Sequence, residues 1–138
     1  MSASTIFETI YHKLSCLIPD LETLEGGVAR KSKVSSYMDL NLDVLDRDHN
    51  TLHIALAHYY EQNGDLVPDP DMEIRVHLGS KQAEALTFQT VMGFTYVYGE
   101  TTINNRAKRD LNDFLNAWLG NLLAQGHSLD ADKAKLAA

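Results

Sequence analysis

The sequence predicts an α+β domain: an antiparallel sheet of about four strands with N- and C-terminal helices on one face, in the order α-β-β-β-β-α. Apolar residues recur at helical spacing near both ends of the chain, over 6–18 and 111–123. Between them, residues 37–45, 51–60 and 71–78 alternate apolar and polar side chains, which is typical of strands with one buried face. We therefore expect both helices to cover the apolar face and to leave the other face open.

Start and stop signals mark the limits of the predicted helices. Thr5 and Glu8 have the spacing of a capping box, and Pro19 ends the first helix. Gly126 stands where the second helix would end, because glycine readily adopts the left-handed conformation that closes many helices. Residues 20–33 have no sustained periodicity, so we expect an irregular or weakly extended connection there.

Turn-forming residues separate the predicted strands. The segment 46–50 (DRDHN) is expected to join the first two strands into a hairpin. Residues 63–70 contain an Asn-Gly pair and two prolines, and their acidic residues do not have calcium-loop spacing, so this segment predicts a connection between strands. Residues 83–89 and 92–98 are rich in β-branched and aromatic side chains, which predicts one long bent strand or two short ones, interrupted near Gly93.

Length and composition indicate one domain. A chain of 138 residues with 44% hydrophobic content suits a single domain, expected over 1–126, with 127–138 as a flexible C-terminal tail. The net charge of −7 repels phosphate backbones and anionic lipid, and no apolar run is long enough to cross a membrane. Cys16 is the single cysteine and cannot form an internal disulfide. We therefore expect a soluble cytoplasmic protein, with no membrane association and with nucleic acid disfavoured as a partner.

Three polar residues are predicted to meet on the open face of the sheet. If a regular hairpin closes at 46–50, Asp43 lies opposite His53, and in one register of the third strand His53 lies beside His77. A carboxylate that orients an imidazole suits either a metal ion such as zinc or an acid/base pair. The alternative is a solvated polar face on which Asp and His pair favourably across strands.

Cations at the start of the last helix contradict a local preference. Arg106, Lys108 and Arg109 lie where the helix dipole disfavours positive charge and where free backbone N–H groups are expected. Such an arrangement can bind a small anion or a carboxylate of a protein partner. Asp110 and Asp113 offer an alternative, in which these charges are balanced on an ordinary solvated helix start.

Tyr37 and Tyr59 share the open-face parity of the first two predicted strands. A stack of the two rings across the hairpin would give that face an aromatic patch suited to a protein partner. Both tyrosines are therefore candidate partner-binding residues.

Two stretches of the chain resemble a known family. They are NGDLVPDPDMEIRVHLGSKQAEAL at 63–86 and KRDLNDFLNAWLGNLLAQG at 108–126. Together they resemble a group of small proteobacterial proteins of unknown function, whose members are chromosomal or lie on plasmids and integrative elements. Residues 1–50 match that group only in predicted layout. The resemblance implies a family domain and brings no catalytic residues with it.

The sequence contains no Walker loop, no G-x-S-x-G, no Gly-rich dinucleotide fingerprint and no C-x-x-C. It therefore favours a non-catalytic binding or accessory module without a cofactor, whose partner is another protein or a small anion. The alternative is a metal-dependent or acid/base enzyme that uses Asp43, His53 and His77. Nucleic-acid binding through the basic run 30–33 and the helix-start cations is a third hypothesis, which the net charge disfavours.

An exposed edge strand would permit a homodimer, and the sequence does not decide between monomer and homodimer.

Overall fold

The computed structural model describes residues 4–131, which form two α-helices, one short 3-10 helix and a seven-stranded antiparallel sheet. The elements in chain order are helix α1 (Ile6–Leu17), the 3-10 helix (Leu21–Thr23), strands β1 (Ala29–Ser32), β2 (Leu40–Arg47), β3 (Thr51–Gln62), β4 (Asp65–His77), β5 (Gln82–Ala85), β6 (Thr87–Thr90) and β7 (Gly93–Tyr96), and helix α2 (Asn105–Ala124). Within the described residues, no helix has the length and apolar character needed to cross a membrane.

The sheet has seven strands, so the predicted count of about four is wrong. Its order is β1-β2-β3-β4-β6-β7, and β5 pairs with β4 on the same side as β6. Part of the difference is β1, which lies in the segment 20–33 and carries two adjacent cations that obscure its alternation. The remainder comes from 82–96, where the predicted one or two strands are divided at Leu86 and again at the turn before Gly93.

The turn between β3 and β4 is shorter than predicted. Asn63 and Gly64 both have positive φ, 53° and 85°, and they close the hairpin alone. Residues 65–70, expected in a connection, are therefore part of β4, where Pro68 pairs with Tyr59. Proline is tolerated there because β4 pairs with β6 only at Asp71, which leaves one side of 65–70 outside the ladder.

Both helices pack on one face of the sheet, as predicted. The capping box at Thr5 and Glu8 is formed, and Asn104 caps α2 by accepting from the N–H of Ala107 at 3.0 Å. A single core cluster joins the two apolar helix stripes to the covered face of the strands. From the strands it takes Leu40, Leu42, Val44, Leu52, Ile54, Leu56, Met72, Ile74, Val76, Ala83 and Ala85. The opposite side of the sheet has no helix from residues 4–131 on it.

The chain directly beyond α2 packs against the core, and the domain boundary expected at residue 126 stays a prediction. His127 and Leu129 are buried, and the N–H of Leu129 donates to the carbonyl of Leu17 at 2.8 Å. Gly126, with φ of 93°, turns the chain back towards the core after the helix ends. Residues 132–138 of the predicted tail lie outside the described residues.

Candidate functional site

The open face of the sheet, opposite the helices, is the first candidate site. At its centre, Ala55 on β3 lies between Asp43 on β2 and Glu73 on β4. The neighbouring row consists of Asn41, Ala57 and Asp71. We call this surface the acidic trough; its floor is Ala55, and its walls are Asp43, Asp71 and Glu73, whereas Ala57 is buried. Two strand spacings separate the walls, so the α-carbons of Asp43 and Glu73 are about 10 Å apart.

Asp71 and Tyr59 form the best-connected pair in the acidic trough. The Tyr59 hydroxyl donates to Oδ2 of Asp71 at 3.1 Å. Burial, with smaller contributions from Glu73 and Asp43, raises the pKa of Asp71 although the hydrogen bond from Tyr59 lowers it. Burial, Asp71 and Asp43 together raise the pKa of Tyr59 to about 12. The carboxylates of the trough therefore interact with one another and with the phenol.

His53 lies at one end of the acidic trough. Its Nε2 is 2.9 Å from Oε1 of Glu73, and about a third of each side chain is exposed. The contact is close in distance but lacks hydrogen-bond alignment, and Nε2 has no aligned partner among residues 4–131. The pair is therefore a close polar contact and not an aligned hydrogen bond.

His77 belongs to a separate polar group at the β4–β5 side of the open face. Its Nε2 lies 2.7 Å from Oε2 of Glu84, and the Tyr98 hydroxyl donates to Oε1 of the same carboxylate. Burial and Glu84 raise the pKa of Tyr98 to about 12, against a smaller opposing effect of Arg75. Glu84 is thus held between an imidazole and a phenol.

The predicted meeting of Asp43, His53 and His77 is wrong in register. All three side chains are on the open face, but Asp43 pairs with Ala55. Strand β2 continues to Arg47, which pairs with Leu52, so the turn is shorter than the predicted 46–50, and a bulge at Leu45 shifts the pairing by one further residue. His53 therefore lies opposite Asp46. On the other side, His53 pairs with Arg75, and His77 is two pairs further along, opposite Thr51. Among residues 4–131, no group of three or more His, Cys, Asp or Glu side chains is placed to hold a metal ion.

The predicted stack of Tyr37 on Tyr59 is also absent. Strand β2 begins at Leu40, so Tyr37 lies in the preceding turn, half exposed, where Ser36 has a positive φ of 74°. The Tyr59 hydroxyl is instead engaged by Asp71. The pattern that suggested the stack began the strand three residues too early.

At the start of α2, a cleft lies beside the cations, and one carboxylate lies close to two of them. Lys108 and Arg109 line a cleft of about 280 Å³ beside Phe7 of α1. Asp110 lies 3.8 Å from Arg106 and 3.7 Å from Arg109, so it balances two of the three charges. The Nζ of Lys108 lies 5.7 Å from the ring centre of Phe7, which is cation–π range. Anion binding at this cleft stays a prediction.

Sequence reasoning missed a second surface, the exposed side chains of the β6–β7 hairpin. On β7, Phe94 and Tyr96 are 54% and 55% exposed. The turn before it carries Val91 and Met92, which are also exposed. The available signal was the run 85–99, which contains no charged residue in a chain that is 22% charged.

Comparison with family models places the chain. A model described as a domain of unknown function (DUF6908) matches residues 12–128. The chain belongs to this family. The DUF6908 match confirms that the chain is a family domain, as the resemblance at 63–86 and 108–126 implied. It runs from the second half of α1 through all the strands, so it includes the acidic trough and the β6–β7 hairpin. No curated protein and no solved structure matches the chain.

Proposed function

We propose that this protein is a non-catalytic binding module whose acidic trough receives a cationic side chain of a protein partner. The observation that carries the proposal is the row Asp43, Ala55 and Glu73: a small side chain forms the floor, and carboxylates stand on both sides. The surface is broad, open and unpartnered by any helix among residues 4–131, which suits a protein surface better than a small molecule.

Electrostatics supports a cationic partner group. Asp43 and Glu73 each contribute to the raised pKa of Asp71, so the carboxylates repel one another in the free protein. A Lys or Arg side chain placed over Ala55 would offset this repulsion. Its hydrogen bonds would also replace part of the hydration that the carboxylates lose when the partner binds. The net charge of −7 adds long-range attraction for a basic partner.

The acid/base alternative has less support. His53 and His77 contact different glutamates, Glu73 and Glu84, and do not face each other.

The proposal places the protein in the cytoplasm, for which its single cysteine is the support. An accessory role in bacteria, on plasmids or integrative elements, rests on the sequence resemblance alone.

Site-directed photo-crosslinking tests the proposal. A photoreactive phenylalanine replaces Asp43 on the open face, and a matched derivative carries it at Asn121, which is exposed on α2. We expect a discrete protein adduct in cells of the source organism from position 43 only, identified by mass spectrometry. The identified protein is then purified, and its affinity for the wild type is compared with that for Glu73→Lys by calorimetry.

The expected result is a loss of affinity of about a hundredfold in Glu73→Lys, because a like charge then faces the partner's cation. A variant of an exposed surface carboxylate far from the trough, Asp113→Lys, makes the same change in net charge and should bind as the wild type does. Equal adducts from positions 43 and 121, or equal affinity of Glu73→Lys and Asp113→Lys, would contradict the proposal.

A further inference from the structure

Besides the unpaired side of 65–70 in β4, the sheet ends in three edge strands, β1, β5 and β7, which differ in protection. We propose that β7 pairs with the β7 strand of a second copy of this chain, so that two sheets join into one continuous sheet in a homodimer. This inference is independent of the acidic trough, which lies on β2, β3 and β4.

Two of the edges are blocked. Strand β1 carries exposed Lys31 and is followed by exposed Lys33, and lysine on an edge strand is a common protection against pairing. The edge at β5 is covered by α2, where the buried Asn112 accepts the outward N–H of Ala85 at 2.8 Å. Neither edge offers a free ladder to another chain.

Among residues 4–131, no strand pairs with the outer side of β7 along 93–96. Strand β7 is the last strand in the sheet order, and only beyond it does Tyr98 bridge to Ile103. The N–H of Val97 points to the β6 side and donates to the carbonyl of Leu86. Because the backbone groups of successive residues in an antiparallel strand point to alternate sides, those of Tyr96 and Phe94 point outward, away from β6. The two residues with outward backbone groups are the same two that expose aromatic side chains.

This edge is self-complementary. In an antiparallel pair centred on Thr95, Phe94 of one copy faces Tyr96 of the other, and the same contact recurs across the two-fold axis. Both pairs then join residues whose backbone groups point outward, so both exchange hydrogen bonds. Each pair also places two aromatic side chains opposite each other on one face, which is a favourable cross-strand combination.

Charge favours a second copy as the occupant. Two molecules with a net charge of −7 repel each other over most of their surface, and the run 85–99 is free of charge, so the approach is least costly there. The hairpin adds exposed Val91 and Met92, which are the kind of apolar surface that association removes from water. Because the edge is only four residues long, we expect a dissociation constant on the order of micromolar.

Charge-pair variants test the dimer. One variant carries Phe94→Lys with Tyr96→Lys, and a second carries Phe94→Glu with Tyr96→Glu. In the proposed register each variant alone places like charges opposite each other, so its dimer dissociation constant should rise by about a hundredfold. An equimolar mixture pairs Lys with Glu and should restore the dimer as a heterodimer, which native mass spectrometry resolves by mass.

Leu45→Lys with Leu66→Lys is the matched control, since both residues are exposed and apolar and lie outside the β6–β7 hairpin. Sedimentation velocity of the wild type and control should show a concentration-dependent dimer across the micromolar range. A monomeric wild type throughout that range overturns the proposal. So does a dimer that persists in both charge variants, because it would use another surface, and so does a β7 edge occupied by a strand of a different protein.

Discussion

At the scale of single residues, His127 is a titratable group held in the interior of the protein. It is 3% exposed, and its Nδ1 lies 2.8 Å from Oγ of Ser32. That oxygen already accepts the backbone N–H of Ser128 at 3.1 Å, so its own proton is available to Nδ1. The arrangement favours a neutral imidazole. Burial and the nearby His58, whose ring centre is 6.1 Å away, lower the pKa of His127.

This residue predicts how stability depends on pH. The backbone of Met38 and the carboxylate of Asp39 raise the pKa of His127, but burial and His58 outweigh them, so the folded value is below the ordinary 6.5. In the unfolded chain the imidazole binds its proton more readily. The stabilisation is therefore present above about pH 6.5 and is lost as the pH falls towards the folded value.

Urea unfolding between about pH 7.5 and pH 5 measures the effect. We expect the free energy of unfolding of the wild type to fall over this range, and the fall to be smaller in His127→Gln, which keeps a polar side chain without a titration in this range. His49→Gln is the control, since His49 is exposed in a turn. Equal pH slopes for the wild type and His127→Gln would exclude His127 as the cause.

The sequence predicted on which face of the sheet each polar residue lies, but not which residues are its neighbours on the adjacent strands. Alternation assigned Asp43, His53 and His77 to the open face, and the structure has all three there. Their neighbours were not predictable, because the register depends on where the turn begins and on the extra residue at Leu45, and neither changes the alternation of the strand before it. Local hydrophobic periodicity carries no information about pairing between strands.

At the scale of elements, strong periodicity gave the right result and weak periodicity did not. Helices α1 and α2 and the central strands have long apolar stripes, which only one type of element can bury. Strand β1 has a cation facing the covered side: Arg30 is bonded to Asp20 at 2.6 Å and to the carbonyl of Leu129 at 3.0 Å. The sequence alone does not distinguish a buried cation that pairs with a residue far away in the chain from a cation that is exposed to water.

The junction of α2 with β5 depends on one side chain. Asn112 is 1% exposed; its Oδ1 accepts from Ala85, and its Nδ2 donates to the carbonyl of Lys108 at 2.6 Å. We expect Asn112→Ala to lower the free energy of unfolding by about 1–3 kcal/mol, because the N–H of Ala85 is then buried without a partner. Denaturant unfolding measures it.

Asn116→Ala, one turn along the same helix, is the matched control. Its Oδ1 has no partner among residues 4–131, so its removal leaves no donor unsatisfied. Both substitutions gain the same small helix propensity, which cancels in the comparison. A loss in Asn116→Ala as large as in Asn112→Ala would show that the hydrogen bond to β5 is not the source of the stability.

At the scale of the whole molecule, the core is closed by residues that no periodic pattern marks. Leu129 is fully buried in the core cluster although it follows the helix-ending Gly126 and stands in a polar segment. Its N–H bonds to the carbonyl of Leu17 at the end of α1, so the segment after α2 joins the two ends of the described chain. One isolated apolar residue has no periodicity, and its burial is set only by the completed fold.

Leu129→Ala tests whether that segment belongs to the cooperative domain. A fully buried leucine replaced by alanine should lower the free energy of unfolding by about 2–5 kcal/mol, from the lost burial and from the cavity left behind. Leu66→Ala makes the same chemical change at a side chain that is 73% exposed and should alter stability by less than about 0.5 kcal/mol. Urea unfolding followed by both Trp118 fluorescence and circular dichroism distinguishes the cases. Coincident transitions shifted only in Leu129→Ala place the segment inside the domain, whereas equal stability of the two variants would mean that the fold closes without it.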